Sequence, residues 1–422
     1  MKTNLITWML LGIFTVIMAV SCATAPVEVP PAPPSAAPST PPPATPTPTP
    51  TPPPPAPPAP PAPVGLNALS AEDLAKLYSD TEIVLNRARD AAVSSGAEVY
   101  APDFLLDADN TVVSALQKYE ANDYDGAKSS ADEALLMYNT IKSGLDAYSL
   151  RENFAWRIEE LAPEYLWQAD DAALEMFDKW RSKDYTGAKA AADKALLLYG
   201  TIDNGLAAYD ARQSVVWSLQ ELAPEFLSQA DDIALATFDK WDAGDYDGAK
   251  EGADQALLMY GTLKTGVEAY LLREEIALDA VRLDQDALWR TDDVGWAAID
   301  KWSDGDYEGA RADAETALLG YTVTGAAVER QKALDARANV AVRQEFNVAE
   351  LLYERATNAL RWQDYNEALR LYMESLYLFR QAARTAEERR RSAEEALRRA
   401  EQRLLESNET ARNADAILEG GR

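Results

Sequence analysis

The sequence predicts an all-α fold: repeated long antiparallel helix pairs with a 61-residue period, stacked as a solenoid, with a long C-terminal helix. Three observations carry this. Asp-Tyr pairs recur at Asp123-Tyr124, Asp184-Tyr185, Asp245-Tyr246 and Asp306-Tyr307, each 61 after the last in sequence number, and Asp364-Tyr365 follows at a step of 58. Apolar residues between the pairs fall at steps of three and four, the spacing of one helix face. Pro102, Pro163 and Pro224 are again 61 apart, each preceded by Ala and followed by an acid. Proline at the first helical position with an acid beside it starts a helix. Nothing reads as a strand.

The first element is a leader. Lys2 supplies a positive start, residues 5–20 are almost entirely apolar, and Ala19-Val20-Ser21 precede Cys22, the single cysteine of 422 residues. The apolar run is shorter than the roughly 20 residues a spanning helix needs, and it has the form of an export signal. The segment resembles the bacterial lipobox, with Ala19 where the common box has Leu. That resemblance implies that residues 1–21 are removed and that Cys22 is diacylated as the first residue of the mature chain. Ordinary signal cleavage and an uncleaved anchor are the alternatives. A lipid at Cys22 places the protein in the cell envelope, with the outer membrane, facing the periplasm, as the expected site.

Residues 22–64 form the second element, a linker. Of 24 prolines, 21 lie between Pro26 and Pro63, among Ala, Thr and Ser. Proline fixes φ and removes a backbone donor, so this stretch is expected to be an extended spacer with a reach on the order of 100 Å.

The third element is the repeat domain, residues 65–384, with units at about 101–161, 162–222, 223–283, 284–341 and 342–384. Each unit reads as two helices. The first runs from the proline to a large aromatic, assigned as Tyr119, Trp180, Trp241, Trp302 and Trp362. In the second unit Leu166, Ala169, Ala173, Met176, Phe177 and Trp180 make one apolar stripe. The Asp of each Asp-Tyr pair then caps the second helix, and Asp364 with Glu367 matches a capping box. In the first unit Ala127, Ala131, Ala134, Tyr138, Ile141, Leu145 and Tyr148 keep the helical period. The block ends at Tyr138, Tyr199, Tyr260 and Tyr321, with Phe379 as the last counterpart. This helix is expected to run to about Leu161 unless Gly144, Gly205 and Gly266 break it. The last element, 385–422, is a charged helix and tail in which Ala393, Leu397, Ala400 and Leu404 form a narrow seam.

Composition excludes several chemistries. Without His, and with Cys22 as the single thiol, the usual zinc, copper and haem ligand sets and the His-dependent catalytic triads cannot be assembled. No cofactor and no catalytic constellation is expected, so the chain reads as a non-enzyme. Carboxylate chemistry and calcium binding remain open. The net charge is −29, and residues 65–379 hold about −30 of it, because the two ends nearly cancel. Such a field repels nucleic acid and anionic lipid.

Two resemblances bear on function. Gly305-Asp306-Tyr307-Glu308-Gly309-Ala310 with Ala317-Leu318, and Asp364-Tyr365-Asn366-Glu367-Ala368-Leu369, resemble the second helix of a tetratricopeptide repeat, although the period is 61 rather than 34. Gly96-Ala97-Glu98-Val99-Tyr100-Ala101-Pro102, with Asp123-Tyr124-Asp125-Gly126-Ala127, Ala131 and Ala134, resembles a helical domain family of unknown function in bacterial envelope lipoproteins. The match covers residues 70–148, and the later units look like degenerate copies. Relatives often carry an OmpA-like peptidoglycan-binding domain downstream, which this sequence does not show. The relaxed lipobox together with the repeats is similar to spirochaetal lipoproteins. An anchor at Cys22 and the long surface that stacked units offer point to an anchored, non-enzymatic interaction scaffold for envelope proteins. A wall-proximal spacer contacting peptidoglycan and a carboxylate-based enzyme are the alternatives.

Candidate contact residues come from positions that vary between units. Trp180, Trp241 and Trp302 hold one position throughout and read as inter-helix core. Trp167 and Trp289 share a slot with Leu106 and Ser228. A slot that tolerates Ser is not deep core, so these two tryptophans are the candidate partner contacts. The paired acids Asp170-Asp171, Asp231-Asp232 and Asp292-Asp293, with Asp109-Asn110, read as a solvated face, since neighbours on a helix point about 100° apart. The Arg- and Glu-rich tail reads as a coiled-coil strand for homo-oligomerisation, a grip on an acidic partner, or, most simply, a segment packed on its own chain.

Overall fold

The computed structural model describes residues 70–420, with side chains to 414; the expected leader, Cys22 and the expected linker lie outside them. Helix starts follow from local chemistry. Ser70 caps α1 (Ala71–Ser94) by accepting from the Asp73 N–H at 3.1 Å. A short α2 (Ala97–Tyr100) leads to α3 (Pro102–Glu120). The array then alternates long and short helices: α4 (Tyr124–Leu161), α5 (Pro163–Arg181), α6 (Tyr185–Leu222), α7 (Pro224–Asp242), α8 (Tyr246–Ser303) and α9 (Tyr307–Asp335). It ends in α10 (Ala338–Ala341), α11 (Arg343–Arg361) and α12 (Tyr365–Gly420). Among the described residues there is no strand.

Two joints repeat. Each short helix ends in one left-handed residue: Asn122, Lys183, Gly244, Gly305 or Gln363, with φ between 61° and 81°. An Asp follows, whose carboxylate accepts from the N–H three residues on, as Asp184 does from Gly187 at 2.9 Å. This cap contributes about 1 kcal/mol at each long helix. In the last unit Asp364 accepts from Glu367 N–H, but the Glu367 carboxylate pairs with Arg370. The capping box is therefore half made. The other joint is one non-helical residue after each long helix: Ala162 and Ala223, with φ near −160°. Proline follows because its missing N–H and fixed φ suit the first helical position. Where the fourth unit has Gln285 in place of proline, Asp284 adopts the same backbone (φ −154°, ψ 85°) and caps Ala287 N–H at 2.9 Å. The kink inside α8 is therefore the third copy of this joint.

The long helices run unbroken through Gly144 and Gly205; α4 and α6 each span 38 residues, roughly 57 Å. Each short helix packs on the long helix that follows it, and successive long helices pack on each other. Small residues make this close approach feasible: Ala127, Ala131 and Ala134, and their counterparts Ala188, Ala192 and Ala195, are buried. Tyr148, expected on the same stripe, is exposed. The buried threonines Thr140, Thr201 and Thr262 satisfy their hydroxyls on the carbonyl four residues back. The core is divided into clusters that cross unit boundaries. One joins Phe154, Ile158 and Leu166 to Leu198, Tyr199 and Trp241.

The last unit departs from the expected register. Trp362 is 85% exposed and sits at the C-cap of α11. Asp364 comes two positions after it, whereas Trp302 stands four before Asp306. The structural counterpart of Trp302 is Leu360, which packs against the core of α11 and α12. The tail is also corrected. Through Ala386, α12 buries one face; from Glu387 to Ala414 every side chain is exposed. Of this stretch, Arg389 reaches back to the Ala341 carbonyl, and the remainder does not pack on its own chain.

Candidate interaction surface

The short helices present two unlike faces. The inner face is fixed by a three-residue clamp repeated in the first four units. Arg151, on α4, donates to both oxygens of Asp170 on α5, at 2.8 and 2.9 Å. The Tyr199 hydroxyl, from α6, donates to the same carboxylate at 2.6 Å. Arg89–Asp109–Tyr138, Arg212–Asp231–Tyr260 and Arg273–Asp292–Tyr321 repeat this arrangement. One carboxylate thus ties three helices together. Bidentate Arg–carboxylate geometry is among the stronger polar contacts, and here it is half-buried. Burial opposes the charge on Asp109, Asp170 and Asp292, but the Arg and Tyr hydrogen bonds outweigh it and hold these carboxyls below the usual range. Burial, then the neighbouring carboxylate, pushes the four tyrosines up.

This overturns the reading of the acid pairs as a solvated face. The first acid of each pair is a structural tie; the second, Asp171, Asp232 or Asp293, is exposed. The 100° step between neighbours is the reason: it sends one carboxylate inward and the other outward.

The constant tryptophans bridge units. Trp180, Trp241 and Trp302 are buried. The indole N–H of Trp241 donates to Gln168 of the preceding unit at 2.7 Å, and that of Trp302 donates to Gln229 at 2.7 Å. The Trp241 ring meets Tyr165 edge-on at 5.3 Å and Tyr246 at 5.6 Å. These are staples between neighbouring short helices.

Trp167 and Trp289 lie on the outer face, 61% and 55% exposed. Trp296 is exposed on the same helical segment as Trp289, and Trp156 and Trp217 are exposed on the long helices α4 and α6. Sequence reasoning missed these three. The signal was column variability: Trp296 aligns with Leu235, Leu174 and Val113, and Trp156 and Trp217 align with Leu278. All of these are exposed. Among the described residues no group of three or more acids is placed to hold a metal ion, and no helix is long and apolar enough to cross a membrane.

No protein-family model, no curated protein and no solved structure matches the chain.

Proposed function

We propose that this is a membrane-anchored, non-enzymatic cell-envelope lipoprotein whose helical repeats act as a protein-interaction scaffold. The observation that carries the proposal is the set of exposed tryptophans at repeat positions on a clamped helical array. Large aromatics are costly to leave in water and are enriched where proteins meet. A repeat array offers such residues on a surface built from neighbouring units. The polar groups with displaced pKa values in the clamps are tied to each other and serve packing. The anchor rests on the Cys22 segment, and the outer membrane facing the periplasm is the proposed location.

Two measurements on the full chain in cells test this. Cys22→Ala is expected to release the protein from the membrane fraction with its helical content intact. A photo-crosslinker placed at position 167, 289 or 156 is expected to capture defined proteins. Crosslinks to wall glycan alone would replace the scaffold by a peptidoglycan-contacting spacer, and glycan turnover by the purified chain would overturn the non-enzyme reading.

A further inference from the structure

The outer face of the short helices has a composition that specifies a partner. In the fourth unit Trp289, Asp293, Trp296 and Asp300 stand at i, i+4, i+7 and i+11, one stripe along the helix. All four are exposed. The second unit repeats it with Trp167, Asp171, Leu174 and Asp178. In the third unit Ser228 replaces the tryptophan, while Asp232 and Leu235 remain. Helix residues at these spacings normally face a core. Here they alternate apolar and acidic and face outward.

Charge is sorted across these helices. Their lysines turn back to the array: Lys179 lies 3.4 Å from Asp184, Lys240 donates to the Gly248 carbonyl at 3.2 Å, and Lys301 lies 2.7 Å from Asp313. Asp171, Asp232 and Asp293 make no ion pair or hydrogen bond with the described residues. Asp178 pairs with the exposed Arg181 at 3.3 Å, and Arg290 stands about 100° round the helix from Trp289. The first unit has the apolar pair Leu106 and Val113 but carries Asn110 and Gln117 in place of the acids. Consecutive short helices are joined by the Trp–Gln staples, so the stripes recur on neighbouring elements.

We infer that the stripes on units two to four form a docking surface for a cationic amphipathic polypeptide segment, whose apolar side chains seat on the Trp and Leu columns while Lys or Arg meets the unpaired Asp row. Complementary charge favours this occupant, and the same charge opposes a second copy of the face or an anionic surface. The inference rests on the scaffold reading and names its partner's chemistry.

The test uses the purified full chain and a labelled helical Leu/Lys amphipathic peptide, with its Leu/Glu counterpart and a soluble muropeptide as competing probes. The Lys peptide is expected to bind and the other two not. Replacing Trp167, Trp289 and Trp296 together by Ala is expected to weaken binding about tenfold or more, as loss of aromatic anchors does. Asp171→Asn, Asp232→Asn and Asp293→Asn together should weaken it several-fold and flatten its salt dependence. The control Glu160→Gln, Glu221→Gln, Glu251→Gln removes the same charge from exposed positions on the long helices and should change binding less than about twofold. All substituted side chains are exposed, so unchanged melting curves verify folding.

Equal losses in the two charge variants would show diffuse attraction and overturn the inference. So would retained binding without the tryptophans, or preference for the Glu peptide or the muropeptide. In cells, protein crosslinks from position 156 without any from 289 would sink this surface and leave the scaffold standing. Absence of protein crosslinks from every position would sink both.

Discussion

The regular units and the last unit solve the same packing problem with different parts. In the regular units an Asp carboxylate accepts from Arg and from Tyr, and a buried Trp reaches the preceding unit. In the last unit Arg330 still grips an acid, now Glu350, at 2.6 Å. The tyrosine counterpart is Phe379, fully buried and without a hydroxyl. The Trp position holds Leu360. The terminal joint therefore keeps the cation, with its donated hydrogen bonds, and the apolar body, and drops the two neutral donors, the hydroxyl and the indole N–H. The lesson is that the tyrosine hydroxyl and the indole N–H serve repetition: they are present where a unit has another like itself to lock onto.

The largest perturbation acts on the regular clamps together. The carboxyls of Asp109, Asp170 and Asp292 titrate lower in the folded chain than unfolded, so the unfolded chain takes up protons first. Their stabilisation is complete above about pH 4 and is lost as pH falls through the folded values. The tyrosines are raised, so their contribution is complete below about pH 10 and is lost as pH climbs through the folded values. Native-state hydrogen exchange across pH is expected to show the regular units opening at both extremes; a flat profile between pH 2 and 6 would remove the carboxylates from the account.

Next in size is the staple. Trp241→Ala is expected to destabilise its units by about 3–5 kcal/mol, and Leu360→Ala, at a partly buried site, by less than about 2 kcal/mol. Equal costs in denaturant unfolding would erase the distinction between the regions. Converting a central clamp into the terminal kind, Asp231→Glu with Tyr260→Phe, should cost about 1–2 kcal/mol, since a hydrogen bond to a charged, half-buried group is lost. The smallest effect concerns the left-handed turn. Lys183 holds φ 62° where the next two units use Gly244 and Gly305. Lys183→Gly is expected to raise stability by up to about 1 kcal/mol, visible as a small rise in Tm.

Much of this architecture was legible. The period, the Asp caps, the proline starts and the burial of Trp180, Trp241 and Trp302 all follow from local chemistry repeated along the chain. The clamps were harder to see because their members are far apart in sequence and lie on three helices. Their trace was present: Arg151, Arg212 and Arg273 recur with the period of the repeat, in step with Asp170, Asp231 and Asp292. Reading each acid pair as one feature hid it, since two adjacent carboxylates belong to opposite faces. Trp362 was misplaced because the last interval is shorter than the others, so matching by residue type slipped against matching by cap. On the outer surface, tolerance of Ser228 pointed correctly to an exposed slot for Trp167 and Trp289, but Trp296 stood in a column of aliphatics that resembled core.

The joint at Ala162 and Ala223 has a further consequence. Both residues adopt nearly the same backbone, and both are followed by Pro-Glu. Deleting residues 163–223 would splice Ala162 to Pro224. Arg151 would then find Asp231, Tyr260 would supply the hydroxyl, and Trp241 would face Asp107, the residue Trp180 already meets. Copy number can thus change by whole units with clamp and staple remade at the splice, at the loss of the Arg157–Asp210 pair, because Leu271 would stand in the place of Asp210.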